Sequence, residues 1–177
     1  MTSSIALGRA LVSRYAIGQK PNSGALILGL TLSLASLIAA FSVIGLLRVL
    51  LPEPILGPSA AASIGDLPTF ALYASGVLIG PFVELWAQVI PIELFRRFGA
   101  SSRACIIFSA LTFGCAHYLN GGLLHGASTF ASGLVFAYGY VLCRPFGWLP
   151  SCLAAYSAHA SHNLILISVM VLFPQWA

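Results

Sequence analysis

Glu84, His117, His159 and Asn163 stand apart in this sequence because each is a polar side chain inside a long apolar run. A carboxyl and two imidazoles are the groups of acid–base chemistry and of metal or haem ligation, and an amide adds a hydrogen-bond donor. Ionisable groups inside hydrocarbon are costly, so each is a functional candidate by default. Glu84 precedes Arg96 by 12 residues, His117 follows Arg103 by 14, and His159 follows Leu149 by 10. At 1.5 Å per helical residue these offsets are about 18, 21 and 15 Å, so the three side chains fall at a similar depth near mid-bilayer. His159 and Asn163 are four apart and share one helical face. Ser109, Phe113 and His117 form a stripe on one segment, and Glu84 and Gln88 form a stripe on another. His162 is turned roughly 60° from His159, toward the same cavity or a neighbouring helix. Pro81 and Pro91 bracket Glu84 and Gln88 and free backbone carbonyls, which a membrane tolerates chiefly beside a water-filled cavity.

Each residue also has a plainer reading. His159 or Asn163 alone reads equally as an interhelical hydrogen-bond partner. His125 falls in a Gly-rich outer loop and reads as solvated, while Glu93, beside Arg96 and Arg97, reads as a salt-bridge partner. Glu84 resists such a reading. A carboxyl at mid-membrane needs protonation, a partner or water, and the two histidines at its depth are its ionisable partners.

The elements that must position these groups are membrane spans. Of 177 residues, 59% are hydrophobic and only 7% are charged, against the roughly 25% charge usual for soluble domains. The mean hydropathy is +0.96. This composition excludes a water-soluble enzyme and a disordered chain, and it predicts an all-helical, multi-pass bundle with a polar intramembrane cavity. A span needs about 20 mostly apolar residues. Five are expected, over about 25–51, 69–95, 104–119, 127–143 and 149–173, with the third and fourth joined by a Gly-rich segment able to dip back into the membrane. Residues 1–24 form an N-terminal segment, read as cytoplasmic, in which Ile5, Leu11, Val12 and Tyr15 give a weakly amphipathic, surface-lying helix. Residues 25–177 form a single transmembrane domain, and the first apolar run is too long for a signal peptide.

Although the net charge is +4, the basic residues sit at the ends of apolar runs rather than on one soluble face, so nucleic acid is not an expected partner. With the N-terminus inside, Arg9, Arg14, Lys20, Arg96, Arg97, Arg103 and Arg144 lie on the inner side and Arg48 alone outside. This asymmetry predicts a cytoplasmic N-terminus in the plasma or inner membrane. Glu53 and Asp66 then fall in an outer loop. Cys105, Cys115, Cys143 and Cys152 have no close-spaced pair and read as small buried hydrophobes.

The residues taken together resemble the CAAX-protease and bacteriocin-processing family, glutamic-type intramembrane proteases also described as abortive-infection-like. Its motifs are E-E-x-x-x-R, F-x-x-x-H and H-x-x-x-N, each on its own span. Here the second reads Phe113-Gly114-Cys115-Ala116-His117 and the third His159-Ala160-Ser161-His162-Asn163. Between them Gly133-Leu134-Val135-Phe136-Ala137-Tyr138 is similar to a Gly-containing family helix. The resemblance covers about Gly80 to Ile167. The first motif departs from the pattern. Pro81-Phe82-Val83-Glu84 is similar to the P-x-x-E lead-in, with Leu85 at the second glutamate and Val89 at the arginine. In the register shifted by one, Val83 and Gln88 take the places of the first glutamate and the arginine. The first register is preferred because it keeps the catalytic carboxylate.

The resemblance implies peptide hydrolysis without a cofactor or metal, on a membrane-anchored protein or peptide in the bilayer. Glu84 and His117 would activate water as general base, and His159 and Asn163 would form the oxyanion hole. Three other readings compete. Leu85 and Val89 suit a non-catalytic relative that binds a membrane protein or assists immunity or transport. His117 and His159 suit axial haem ligands. Glu84 with the two histidines forms a conceivable zinc set, ranked lower because no H-E-x-x-H helix is present.

Overall fold

The computed structural model describes residues 8, 10–58 and 67–173. Among them the chain is helical throughout, with no strand. Helix α1 (Pro21–Leu50) starts on a proline whose missing N–H costs nothing in a first turn. It ends at Leu51, held extended by the following Pro52. A short helix, α2 (Glu53–Leu56), follows. Helix α3 (Thr69–Arg97) contains a π-helical segment, Ala74–Ile79. Helix α4 (Ser102–Cys143) is capped by Ser101, whose hydroxyl accepts the Ala104 N–H at 3.3 Å. Helix α5 (Trp148–Leu172) closes the described chain.

Four of these helices are long and apolar enough to cross a membrane: α1, α3, α4 and α5. The expected third and fourth spans are the two arms of α4, which folds back on itself at Gly122. There φ is +72° and ψ −166°, a region essentially restricted to glycine. The arms then run side by side so closely that a Cβ on Gly114 would stand 2.7 Å from Phe130 Cβ and 2.8 Å from the Gly126 carbonyl. The Gly-rich segment is therefore a tight turn between helices rather than a re-entrant loop. Gly57, at φ +85°, rests on the turn, and a Cβ there would meet Gly122 Cα at 2.9 Å.

Helices α4 and α5 form the common centre, with α1 and α3 packed against both. Lipid-facing positions are apolar: Ile38 is 70% exposed and Phe70 85%. The N-terminal segment differs from expectation. Ile17 is fully buried with Ala25, Leu28, Cys143 and Ala154, and Leu11, Val12 and Tyr15 pack on the same cluster. The bundle offers these side chains a drier site than the headgroup region, so the segment docks on the protein. Ile5, Arg9 and Asp66 lie outside the described residues.

Candidate active site

The π-helical segment follows from local sequence. Gly80 N–H bonds to Ser75 C=O, five residues back. The next such bond would join residue 81 to the Gly76 carbonyl, but Pro81 has no N–H. The Gly76 oxygen is thus left without a helical donor, and Asn163 Nδ2 donates to it from α5 at 2.8 Å. Because a carbonyl only accepts, this bond fixes which way the Asn163 amide points. The other Nδ2 proton faces His159 Nε2 at 3.3 Å, one helical turn away.

Glu84 lies one turn beyond this distortion. Its Oε2 is 3.3 Å from His117 Nε2 and 3.6 Å from His159 Nε2, so two imidazoles from two other helices meet one carboxylate oxygen. His117 Nδ1 donates to the Phe113 carbonyl at 2.9 Å, which leaves Nε2 as the atom that exchanges a proton with Glu84. Aromatic rings hold the imidazoles in place. Phe113 lies 4.3 Å from His117 and edge-on to His159 at 5.4 Å, and Phe136 stacks on His159 at 4.8 Å. Glu84 keeps 38% of its side-chain surface, against 17% for His117 and 7% for His159. The carboxylate is therefore the member most open to an incoming water.

All four residues singled out in the sequence meet at one place. The cavity they line holds about 640 Å³ and is bounded by all four spanning helices, including Ala40, Phe41 and Ile44 of α1 and Ser128, Thr129 and Ser132 of the second α4 arm. His162 turns to α1, where Ser36 Oγ lies 2.7 Å from its Nδ1. His125 departs from the solvated-loop reading. It is half-buried, edge-on to His117 with ring centres 5.0 Å apart, and its Nδ1 has no hydrogen-bond partner among the described residues. A tight turn at Gly122 brings residues on either side of it together, whereas a loop would have kept them apart.

Glu93 is an ion-pair partner, as its neighbours suggested, though Tyr140 of the second α4 arm and Arg144 just beyond its end supply three of its five bonds. Arg144 donates from Nε at 2.7 Å and from an Nη nitrogen at 3.2 Å, and Tyr140 adds a hydroxyl at 2.8 Å. Arg96 donates at 3.1 Å. Leu85 and Val89 are buried, with Ile92, Tyr140 and Ala155. Among the described residues no group of three or more His, Cys, Asp or Glu side chains has an arrangement suited to a metal ion.

A family model described as Type II CAAX prenyl endopeptidase Rce1-like matches residues 65–165. The chain belongs to the Rce1-like family. That match covers more than half of the chain and contains Glu84, His117, His159 and Asn163. Membership in this family of membrane proteases agrees with helices suited to spanning a bilayer. No curated protein and no solved structure matches the chain significantly.

Proposed function

We propose that this Rce1-like protein is an intramembrane endopeptidase that hydrolyses a peptide bond of a membrane-anchored protein with water activated by Glu84 and His117. The observation that carries the reading is the approach of both imidazoles to one oxygen of a carboxylate that faces a cavity. Water held by Glu84 gives up a proton to the Glu84–His117 pair as its oxygen attacks the scissile carbonyl. The developing oxyanion accepts a hydrogen bond from His159 Nε2 when that ring carries its proton there. Collapse of the intermediate breaks the C–N bond, and the proton held by the pair passes to the leaving amine. Asn163, bonded to Gly76 and His159, orients the His159 ring and adds a donor when the ring turns to substrate. Such a mechanism draws on no metal and no other cofactor. We read residues 25–177 as one transmembrane domain with a cytoplasmic N-terminus in the cell membrane.

A cleavage assay with E84Q, H117A and H159A tests the proposal. Each variant is expected to accumulate normally and to lose cleavage of a verified membrane substrate. Persistent cleavage in all three would sink it. Activity that resists chelators, together with a purified protein free of a Soret band, would separate this mechanism from the zinc and haem readings. A second reading, a non-catalytic relative that binds a membrane partner, is favoured by one observation: Leu85 and Val89 fill with hydrocarbon the positions where the family motif has charge. That reading predicts partner binding unchanged by E84Q.

A further inference from the structure

His162 lines the same cavity as Glu84, three residues beyond His159 on α5, but its ring is tied to α1. Ser36 Oγ lies 2.7 Å from His162 Nδ1 and 2.7 Å from the Ser33 carbonyl oxygen. A hydroxyl carries one proton, and a carbonyl can only accept. Two oxygens at that distance with no proton between them would repel, so the Ser36 proton goes to Ser33. Ser36 must then accept from His162, which places a proton on Nδ1 and leaves Nε2 of the neutral ring with a bare lone pair. Ser33 and Ser36 are no more than 2% exposed, so water does not compete for these bonds.

That lone pair is unspent. Nε2 has no partner among the described residues and is not enclosed by protein, and the space that His162 borders is the cavity. The adjoining wall has the same character. Ser132 Oγ donates to the Ser128 carbonyl at 3.2 Å, Ser128 Oγ to the His125 carbonyl at 3.1 Å, and Thr129 Oγ1 to that carbonyl at 2.7 Å. Ser132 Oγ also lies 3.5 Å from the Ser36 carbonyl, which joins this wall to the Ser36–His162 pair. These hydroxyls have used their protons on backbone and offer the cavity lone pairs. An acyl chain or a lipid ester would leave such acceptors unmet, whereas a peptide backbone brings N–H groups to them.

We infer that His162 Nε2 accepts a hydrogen bond from a backbone N–H of the substrate, with Ser36 setting the tautomer, so that His162 fixes the register of the peptide at Glu84. The step from His159 to His162 is about 4.5 Å along the helix axis, against about 3.3 Å per residue of extended peptide. The N–H therefore lies one or two residues from the carbonyl whose oxygen meets His159. The inference rests on the peptidase reading for the nature of its ligand. It is tested by binding alone, so the Glu84 mechanism can fail in the cleavage assay while this result stands.

Two amide side chains divide the imidazole between them. The Asn amide reaches the place of Nδ1 and can still donate to Ser36, and the Gln amide reaches the place of Nε2 and can still accept. H162N and H162Q are made in the E84Q full chain, where binding is read without turnover. The probes are a fluorescein-labelled apolar peptide of leucine and alanine and the same peptide with its central amides replaced by esters, which have no N–H. H162N is expected to weaken the amide peptide about three- to tenfold, the range for one hydrogen bond, and H162Q to recover most of that loss. The ester peptide should bind the parent about as weakly as the amide peptide binds H162N, and H162N should no longer separate the two probes. Thermal unfolding should run in the opposite order, with H162Q melting below H162N because it gives up the bond to Ser36. Binding that follows the melting order would reduce His162 to a structural strut and overturn the inference. An undiminished amide preference in H162N, or no binding of the amide peptide to the parent, would overturn it as well. S36A, which leaves the ring in place, is the second variant. It frees the tautomer and should at least halve the amide preference, and an unchanged preference would remove the lock on which the assignment stands.

Discussion

Glu84 and Glu93 lie nine residues apart on the same helix and serve opposite ends. Glu93 is met by two guanidinium groups and a phenol, with both oxygens bonded to cations. Among the described residues Glu84 pairs with two imidazoles, both on one oxygen at 3.3 and 3.6 Å, and it opens on a cavity. A permanently charged partner locks a carboxylate as a strut between helices, whereas a partner that can itself gain or lose a proton leaves the carboxylate able to do so. The contrast shows that the partners, rather than the glutamate, separate a structural site from a reactive one.

The sharpest way to break this comparison is to neutralise each carboxylate in turn. E84Q is expected to lower cleavage by at least about 10²–10⁴, the range for a positioned acid–base group, with little change in thermal unfolding in detergent. E93Q should do the reverse, keeping cleavage within a few-fold while losing about 1–3 kcal/mol of stability through the charged hydrogen bonds it gives up. Loss of cleavage in E93Q at full stability would erase the distinction. G122V probes how the site depends on the hairpin. A side chain at that φ and ψ costs about 1–3 kcal/mol, and both melting temperature and cleavage should fall because His117 and His125 flank the turn. A double-mutant cycle between R144Q and Y140F reads the strut itself. Both donors share Glu93 Oε1, so a coupling of about 0.5–3 kcal/mol is expected, while no coupling would mean independent bonds. The smallest effect is expected from Q88M. The Gln88 amide nitrogen is buried without a partner among the described residues, so an isosteric apolar side chain should be neutral or stabilise by up to about 1 kcal/mol. A large loss of cleavage would instead move Gln88 into the reactive site.

Much of the site was legible because helical rise converts sequence offset into depth. Glu84, His117 and His159 could be placed at one level by counting from Arg96, Arg103 and Leu149, and their side chains do meet. His125 was not legible in that way. Its neighbour His117 lies across a turn whose closeness depends on the backbone of Gly122, and a Gly-rich string reads as a loop until that conformation is known. The bond from Asn163 to Gly76 was hidden for a related reason. Proline signals a freed carbonyl, but which carbonyl it is depends on whether the turn before it is α-helical or π-helical.

Composition alone determined that this chain is a helical membrane protein, because so little charge cannot coat a soluble surface, and apolar periods set where the helices run. Charge asymmetry between loops is likewise a property of the string of residues. Only the tertiary structure decided which partner each carboxylate met, that the N-terminal segment docks through Ile17, and that packed hydrocarbon lies on one side of Glu84 and a polar-lined cavity on the other. Those outcomes depend on contacts between residues far apart in the chain, where packing is selected by shape and by the cost of an unpaired polar group rather than by local preference.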